Sequence, residues 1–341
     1  MLCRVTEVDD DEEALPVALT WAEYVGRWVR DLGGWTQLAA ALLDRAVEAV
    51  DISDDPQTVE RGLRRLATRG HKPGGQYGRW MLRYFGIASP IEELVKWMGQ
   101  YHTRFADLPS GFRLEHLLLW NRPPVSESRL AAWIQVGLAH VSISRADHGA
   151  CRDALAVAGR LAAKAGPSAE IEVALLAARV ETDAGDRTGA ARRYAAVEAQ
   201  LATATLSIGD ARAYRARLHD QRALHLTRPV DGAPDLLAAR ALYAAIEDEP
   251  YIPFVAFRKA VGLAYCAWQL GDLDAAARLA RRAAEHAGDG GLVRMRVMAL
   301  NMLTRLLTGD EASAVHQRAR GMATLLEDED LVSRVAATTP P

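Results

Sequence analysis

The sequence has few of the residues on which disulfide-bonded or membrane-spanning proteins depend. Its 341 residues include only three cysteines, and 6% of them are aromatic. Because Cys3, Cys151 and Cys266 are far apart and odd in number, they indicate reduced thiols rather than a disulfide framework. No apolar run reaches the roughly 20 residues of a membrane-spanning helix, and the acidic run from Asp9 to Glu13 is unlike a basic signal peptide. We therefore expect a cytoplasmic protein without a membrane partner.

The common motifs of enzymes are also absent. The glycine-rich segment 74–78 lacks the Lys-Ser/Thr pair of a phosphate-binding loop, and no His-Glu-x-x-His or Gly-x-Ser-x-Gly motif occurs. His219 and His225 are six residues apart, which does not bring them to one face of a helix. Polar residues of a helical repeat explain His219 and Asp220 better than an acid–base pair does. We expect no catalytic residue, no metal, no cofactor and no enzymatic activity.

Small apolar residues and helix formers make up much of what remains. Half of the chain is hydrophobic, alanine dominates that half, and strand-length runs of β-branched residues are scarce. This composition predicts an all-α protein. The length suggests two domains, or one domain followed by a repeat array.

A Gly-Asp pair recurs between amphipathic stretches, at residues 185–186, 271–272 and 309–310. Segments 146–149 and 229–232 occupy equivalent positions. With 147, 185, 231, 271 and 309 as markers, the spacings are 38, 46, 40 and 38 residues. Such a period predicts stacked helix hairpins over about 125–328.

The residues around these turns resemble the tetratricopeptide family. The clearest unit carries small or large apolar residues in the family pattern at Ala260, Leu263, Ala264, Ala267, Gly271, Leu273 and Ala276. The resemblance implies about five helix hairpins, in which Gly ends the first helix and the following Asp caps the second. It also implies a concave groove, lined by the first helices, that binds a peptide or protein. By position in the pattern, the groove residues are Trp133, His140, Glu172, Arg179, Arg258, Tyr265, Gln269 and Arg296.

The N-terminal part predicts three short helices after an acidic flexible arm at 1–19. Thr20 begins the first with Glu23 in capping-box register, Gly33-Gly34 ends it, and the second begins near Thr36 and turns Leu38, Leu42, Leu43, Ala46 and Val47 inward. The third has Asp55 as its cap, Pro56 at its first position and Gly70 at its end, with Val59, Leu63 and Leu66 buried.

The opposite face of the third helix is basic, and a Gly-rich basic loop of wing-like composition is expected at 70–79. From Gln57 to Gly86 there are seven Lys or Arg and one Glu, so this window carries +6 and the rest of the chain, from a total of -3, carries -9. Three helices with such a face resemble a helix-turn-helix domain over 20–86, which implies binding to double-stranded DNA. The candidate DNA-binding residues are Gln57, Arg61, Arg64, Arg65, Thr68, Lys72 and Arg79.

The order of these parts is similar to that of the bacterial peptide-sensing transcriptional regulators. In that class a helix-turn-helix head binds operator DNA, a repeat groove binds a peptide, and the protein is a dimer. Residues 87–124 are expected to form an aromatic connector and 329–341 a disordered tail. The alternative hypothesis is a non-catalytic interaction scaffold whose N-terminal bundle caps the solenoid.

Overall fold

The computed structural model describes residues 18–46, 55–228 and 233–340, and these residues form helices and no strands. The predicted all-α class is confirmed. The acidic run at 9–13, Cys3, Val47 and the turn at 229–232 lie outside the described residues. Within the described ranges, no helix combines the length and hydropathy needed to span a bilayer.

The chain divides into two compact units. Unit 1 comprises Met1–Leu94 and Arg122–Ser128, and unit 2 comprises Val95–Asn121 and Arg129–Pro341. The helices of unit 1 are α1 (Trp21–Leu32), α2 (Trp35–Arg45), α3 (Pro56–Ala67), α4 (Gly75–Tyr84) and the first half of α5 (Ser89–Gly99), with a 3-10 turn at Val125–Glu127. After α5 and a 3-10 turn at Arg104–Asp107, the helices of unit 2 are α6 (Ser110–Trp120), α7 (Ala131–Ser144), α8 (His148–Ala165), α9 (Pro167–Asp183), α10 (Arg187–Thr203), α11 (Ile208–Thr227), α12 (Leu236–Ala244), α13 (Pro253–Gln269), α14 (Leu273–Asp289), α15 (Val293–Thr304), α16 (Gly309–Leu325) and α17 (Glu329–Ala336).

The predicted helix starts of unit 1 are confirmed. The Thr20 hydroxyl accepts a hydrogen bond from the Glu23 backbone N–H, and the Glu23 carboxylate accepts one from the Thr20 backbone N–H. The Asp55 carboxylate caps α3 by accepting from two backbone N–H groups of its first turn. These caps satisfy N–H groups that a helix leaves unpaired. Helices α1, α2 and α3 pack on one another, and α4 packs on α2 and α3.

Residues 1–17 of the flexible arm expected at 1–19 lie outside the described residues, and Leu19 at its end is buried. One expectation about unit 1 is wrong. The basic loop expected at 70–79 ends at Gly74, and α4 begins at Gly75. The Trp21 indole N–H donates to the Lys72 carbonyl, and its ring lies where side chains at Gly74 and Gly78 would be. Gly74 and Gly78 therefore allow the Trp21 ring to pack closely against the start of α4. Composition alone does not distinguish glycines with this role from glycines of a flexible loop.

Unit 2 is a succession of packed neighbours: α7 with α8, α9 with α10, α11 with α12, α13 with α14, and α15 with α16. The expected turns at Gly185 and Gly271 are confirmed, since both glycines have a positive φ of 85° between two helices. The following residues, Asp186 and Asp272, each cap the next helix through a side-chain hydrogen bond. Asp147 caps α8 in the same way.

The turn expected at Gly309 is present, since α15 ends at Thr304 and α16 begins at Gly309, but Thr308 rather than Asp310 stands at the cap position and no side chain caps the helix. One expectation for this region is wrong. The tail expected to be disordered from 329 forms α17. Asp328 caps this helix, and Leu331 and Val335 are buried on its inner face. A strong cap and two apolar residues four apart are enough for a short helix that packs on α16.

Small residues lie where α13 meets its neighbours. Ala264 is fully buried in a cluster with Ala280 and Val297. Gly262 lies against the ring of Tyr243, so closely that a Cβ atom there would overlap the ring. This contact between Gly262 of α13 and Tyr243 lies at the wall of a cavity in unit 2.

Candidate functional site

Three arginines on one side of α3 line a groove in unit 1. Arg61, Arg65 and Arg69 are spaced four residues apart, so they follow one another along the helix surface and just beyond its end. Together with Thr58 and the first turn of α4 they line a groove of about 430 Å³, called here the basic groove. No carboxylate is among the described residues that line it.

The three guanidinium groups are held to different degrees. Arg61 Nη2 donates to the Thr58 hydroxyl at 3.0 Å, and an Arg69 Nη1–H donates to the Pro73 carbonyl. All three side chains are exposed, while Val59, Leu63 and Leu66 on the opposite face are 0–1% exposed. The predicted division of α3 into a buried and a basic face is therefore confirmed. A cationic groove at the start of a helix suits anionic oxygen atoms.

The other predicted DNA-binding residues are exposed but do not line the basic groove. Arg64 instead pairs with Glu60 at 2.9 Å, and its guanidinium lies 4.6 Å from the centre of the Trp35 ring. The Thr68 hydroxyl donates to a backbone carbonyl of its own helix. The predicted DNA-binding residues that do not line the basic groove are Gln57, Arg64, Thr68, Lys72 and Arg79.

Unit 2 contains a second site, a cavity of about 180 Å³ that is rich in arginine. Helices α7, α9, α11, α12, α13, α15 and α17 contribute to its wall, as does Tyr101 from the segment after α5. We call it the arginine cavity. Its charged lining residues are Arg179, Arg217, Arg228, Arg258, Arg294, Arg334, Asp220 and Asp330. Its apolar lining residues include Leu176, Leu224, Val261 and Met298.

Tyr101 lies among three of these guanidinium groups. Those of Arg217, Arg294 and Arg258 lie 4.6, 5.4 and 5.5 Å from the centre of the Tyr101 ring. Arg258 Nη2 also donates to the Tyr101 hydroxyl at 2.9 Å. Burial alone raises a phenol pKa, yet these three arginines and Arg179 more than offset that effect and lower the pKa of Tyr101 to about 8. The centre of the cavity is therefore strongly favourable to negative charge.

Carboxylates in and behind the wall hold the arginines in place. Arg217 pairs with Glu172, which is fully buried and also lies 3.1 Å from His140 Nε2. Arg258 pairs with Asp220 at 2.8 Å. Although burial opposes ionisation, Arg217 and His140 lower the pKa of Glu172 to about 2. Burial also lowers the pKa of His140, which is therefore neutral near pH 7.

Four of the eight predicted groove residues line this cavity: His140, Arg179, Arg258 and Tyr265. Glu172 lies directly behind them. The other three do not line it. Trp133 is 3% exposed and packs against Gly99, because the absent Cβ of that glycine leaves room for the indole. Gln269, the last residue of α13, is exposed, and Arg296 lies beside Gly288.

Sequence reasoning missed Tyr101, Arg217, Asp220 and Arg294. A signal for Asp220 exists in helix register. One lining residue lies twelve positions after the first residue of each of four helices, from 131 to 143, 167 to 179, 208 to 220 and 253 to 265. These residues are Ile143, Arg179, Asp220 and Tyr265. The insertion between α11 and α12 hid this register in the sequence. Tyr101 precedes the repeat pattern, so no periodicity could indicate it.

No group of three or more His, Cys, Asp or Glu side chains is arranged to hold a metal ion within the ranges that the structure describes. No protein-family model, curated protein or solved structure matches the chain. The two sites are therefore interpreted from their own geometry.

Proposed function

We propose that the protein is a DNA-binding transcriptional regulator of the bacterial cytoplasm. In this proposal unit 1 is a helix-turn-helix-like head that binds DNA through the basic groove. Unit 2 is a solenoid of tetratricopeptide-like hairpins that binds a ligand or partner and supports a homodimer. The observation that carries the proposal is the row of exposed arginines formed by Arg61 and Arg65 on α3 and by Arg69 just beyond its end.

Phosphate contacts supply most of the sequence-independent affinity of DNA-binding proteins. Arg61 and Arg65 are about 6 Å apart along α3 at the 1.5 Å rise per residue of a helix, and Arg69 continues the row just beyond the helix end. Adjacent phosphates of one DNA strand are separated by several ångströms, so such a row can contact more than one of them. The absence of carboxylates from the described lining of the basic groove favours a polyanion over a mixed-charge protein surface.

The solenoid part of the proposal depends on equivalent positions that recur in successive helices. Successive helices pack as neighbours, Asp residues cap the second helix after Gly185 and Gly271, and the twelfth position after the first residue of four alternate helices points to one cavity. An array of equivalent helix pairs gives this repetition, because each pair presents the same helix face to the same side. A single globular bundle has no reason to keep one register across four helices.

Affinity for duplex DNA tests the proposal. We expect wild-type protein to bind a random-sequence duplex in a fluorescence anisotropy titration, and the Arg61→Ala/Arg65→Ala double variant to bind at least tenfold more weakly. The matched control is Arg278→Ala/Arg282→Ala, which removes two exposed arginines that are also four residues apart, on α14 of unit 2.

The control variant should keep wild-type affinity. Circular dichroism should show the same helix content for all three proteins, because Arg61 and Arg65 are exposed. Equal weakening in both double variants would indicate attraction by overall charge only. No binding to any duplex by the wild type would favour the interaction-scaffold alternative.

A further inference from the structure

We propose that the arginine cavity binds a small organic anion, whose phosphate or carboxylate group is held by Arg217, Arg258 and Arg294. This inference names the ligand class of the sensing unit and rests on the proposed function for its biological role. Anion binding is measured without DNA, so the anion-binding proposal and the DNA-binding proposal can fail separately.

Unused donors support an anion. Arg217 and Arg258 are 2% and 4% exposed, both line the cavity, and the Nε–H group of each has no hydrogen-bond partner among the described residues. A buried guanidinium N–H without an acceptor is costly, and a carboxylate or phosphate oxygen is the acceptor that fits its geometry best. The two buried groups are on neighbouring helices, α11 and α13.

The charges around the cavity leave room for one more anion. Its wall has six arginines and two aspartates, and three further carboxylates outside the lining pair with wall arginines: Glu172, Asp183 and Asp328. Five carboxylates against six arginines leave an excess of one positive charge. His140 adds none, since burial lowers its pKa. The lowered pKa of Tyr101 is consistent with this excess, because burial otherwise raises the pKa of a phenol.

The volume and the apolar wall define the rest of the ligand. Pockets for drug-sized molecules have volumes of about 300–1,000 Å³, and the arginine cavity has about 180 Å³. A volume of this size fits a small molecule better than a peptide chain. Leu176, Leu224, Val261 and Met298 provide apolar contacts beside the arginines. These dimensions favour a small molecule with one anionic group and a compact apolar body.

Phenyl phosphate and benzoate are suitable probes because each combines one anionic group with one ring. Benzyl alcohol is the neutral control. We expect isothermal titration calorimetry on the full chain to detect binding of one or both anions and none of benzyl alcohol. Binding of phenyl phosphate alone would identify a phosphate site, and binding of benzoate alone a carboxylate site. If neither anion binds at millimolar concentration, the proposal is wrong.

Arg258→Gln should lower the affinity for the anion at least tenfold, which is the usual effect of losing a charge-assisted hydrogen bond. Lys259→Gln is the matched control, because it removes the same charge one residue away on α13, outside the cavity lining. Equal weakening by both substitutions would show non-specific attraction and overturn the proposal. Circular dichroism and the melting temperature report whether Arg258→Gln folds, since Asp220 loses its partner there.

The pKa of Tyr101 in the wild-type protein provides a second readout, which does not depend on whether the Arg258 variant folds. Tyr101 should ionise near pH 8 in an absorbance titration at 295 nm, and the Tyr101→Phe variant identifies its contribution by difference. An anion beside the three arginines opposes the phenolate, so saturating probe should raise the pKa of Tyr101. An unchanged Tyr101 pKa under saturating probe would show that the anion binds elsewhere.

Discussion

A methyl group added at Gly262 tests the packing that forms the wall of the arginine cavity. In a helix interior, Gly→Ala gains about 1 kcal/mol of helix stability. At Gly262, however, the new Cβ would overlap the ring of Tyr243, which is 4% exposed and packed within the core. Overpacking of this kind costs about 1–3 kcal/mol. We therefore expect Gly262→Ala to destabilise unit 2 by up to about 2 kcal/mol.

The matched control is Gly159→Ala on α8. Gly159 is exposed within the helix, and a Cβ there would meet no atom within 4 Å. This substitution should therefore keep the full gain in helix propensity. For a domain of this size 1 kcal/mol corresponds to about 2–4 °C in melting temperature. We expect Gly159→Ala to raise the midpoint by that amount and Gly262→Ala to lower it, each followed by circular dichroism at 222 nm. Two increases of the same size would refute the close approach of Tyr243.

Three further predictions concern buried groups of unit 2. Ala264→Trp should lower the melting temperature strongly, because Ala264 is fully buried among α13, α14 and α15; an unchanged midpoint would mean that this site is not packed as described. Glu172→Gln should destabilise the protein by about 3 kcal/mol or more, because Arg217 then keeps a buried charge without its partner. Since the pKa of Glu172 is lowered to about 2, its stabilising contribution is complete above its usual pKa of 4.5 and is lost as the pH falls towards 2, so acid unfolding of Glu172→Gln should depend less on pH in that range. Burial raises the pKa of the Cys151 and Cys266 thiols to about 11, so iodoacetamide at pH 8 should label both in urea and neither in the native protein, as read by peptide mass spectrometry.

Local signals in the sequence predicted local structure well. The capping box at Thr20, the Asp55 cap and the turns at Gly185 and Gly271 all depend on a few neighbouring residues, and the structure has each of them. The glycines after α3 were misinterpreted because their use depends on Trp21, which is about fifty residues away in the chain. No local pattern carries that information.

The sequence indicated part of the arginine cavity for a similar reason. His140, Arg179, Arg258 and Tyr265 follow the repeat register and could be named from it. Trp133 follows the same pattern but is buried against Gly99, a contact with a helix outside the predicted repeat region. Tyr101, at the centre of the three arginines, also lies outside them. The charged centre of the site depends on tertiary contacts between segments that share no pattern.

The salt dependence of DNA affinity tests the central claim most directly. Each phosphate contact contributes about 0.9 to the slope of log K against log salt concentration. If Arg61 and Arg65 each contact one phosphate, the Arg61→Ala/Arg65→Ala variant should have a slope that is smaller by about 1.8 than that of the wild type. The Arg278→Ala/Arg282→Ala control should keep the wild-type slope. Equal slopes for all three proteins, or a wild-type affinity that does not change with salt, would contradict DNA binding by the basic groove.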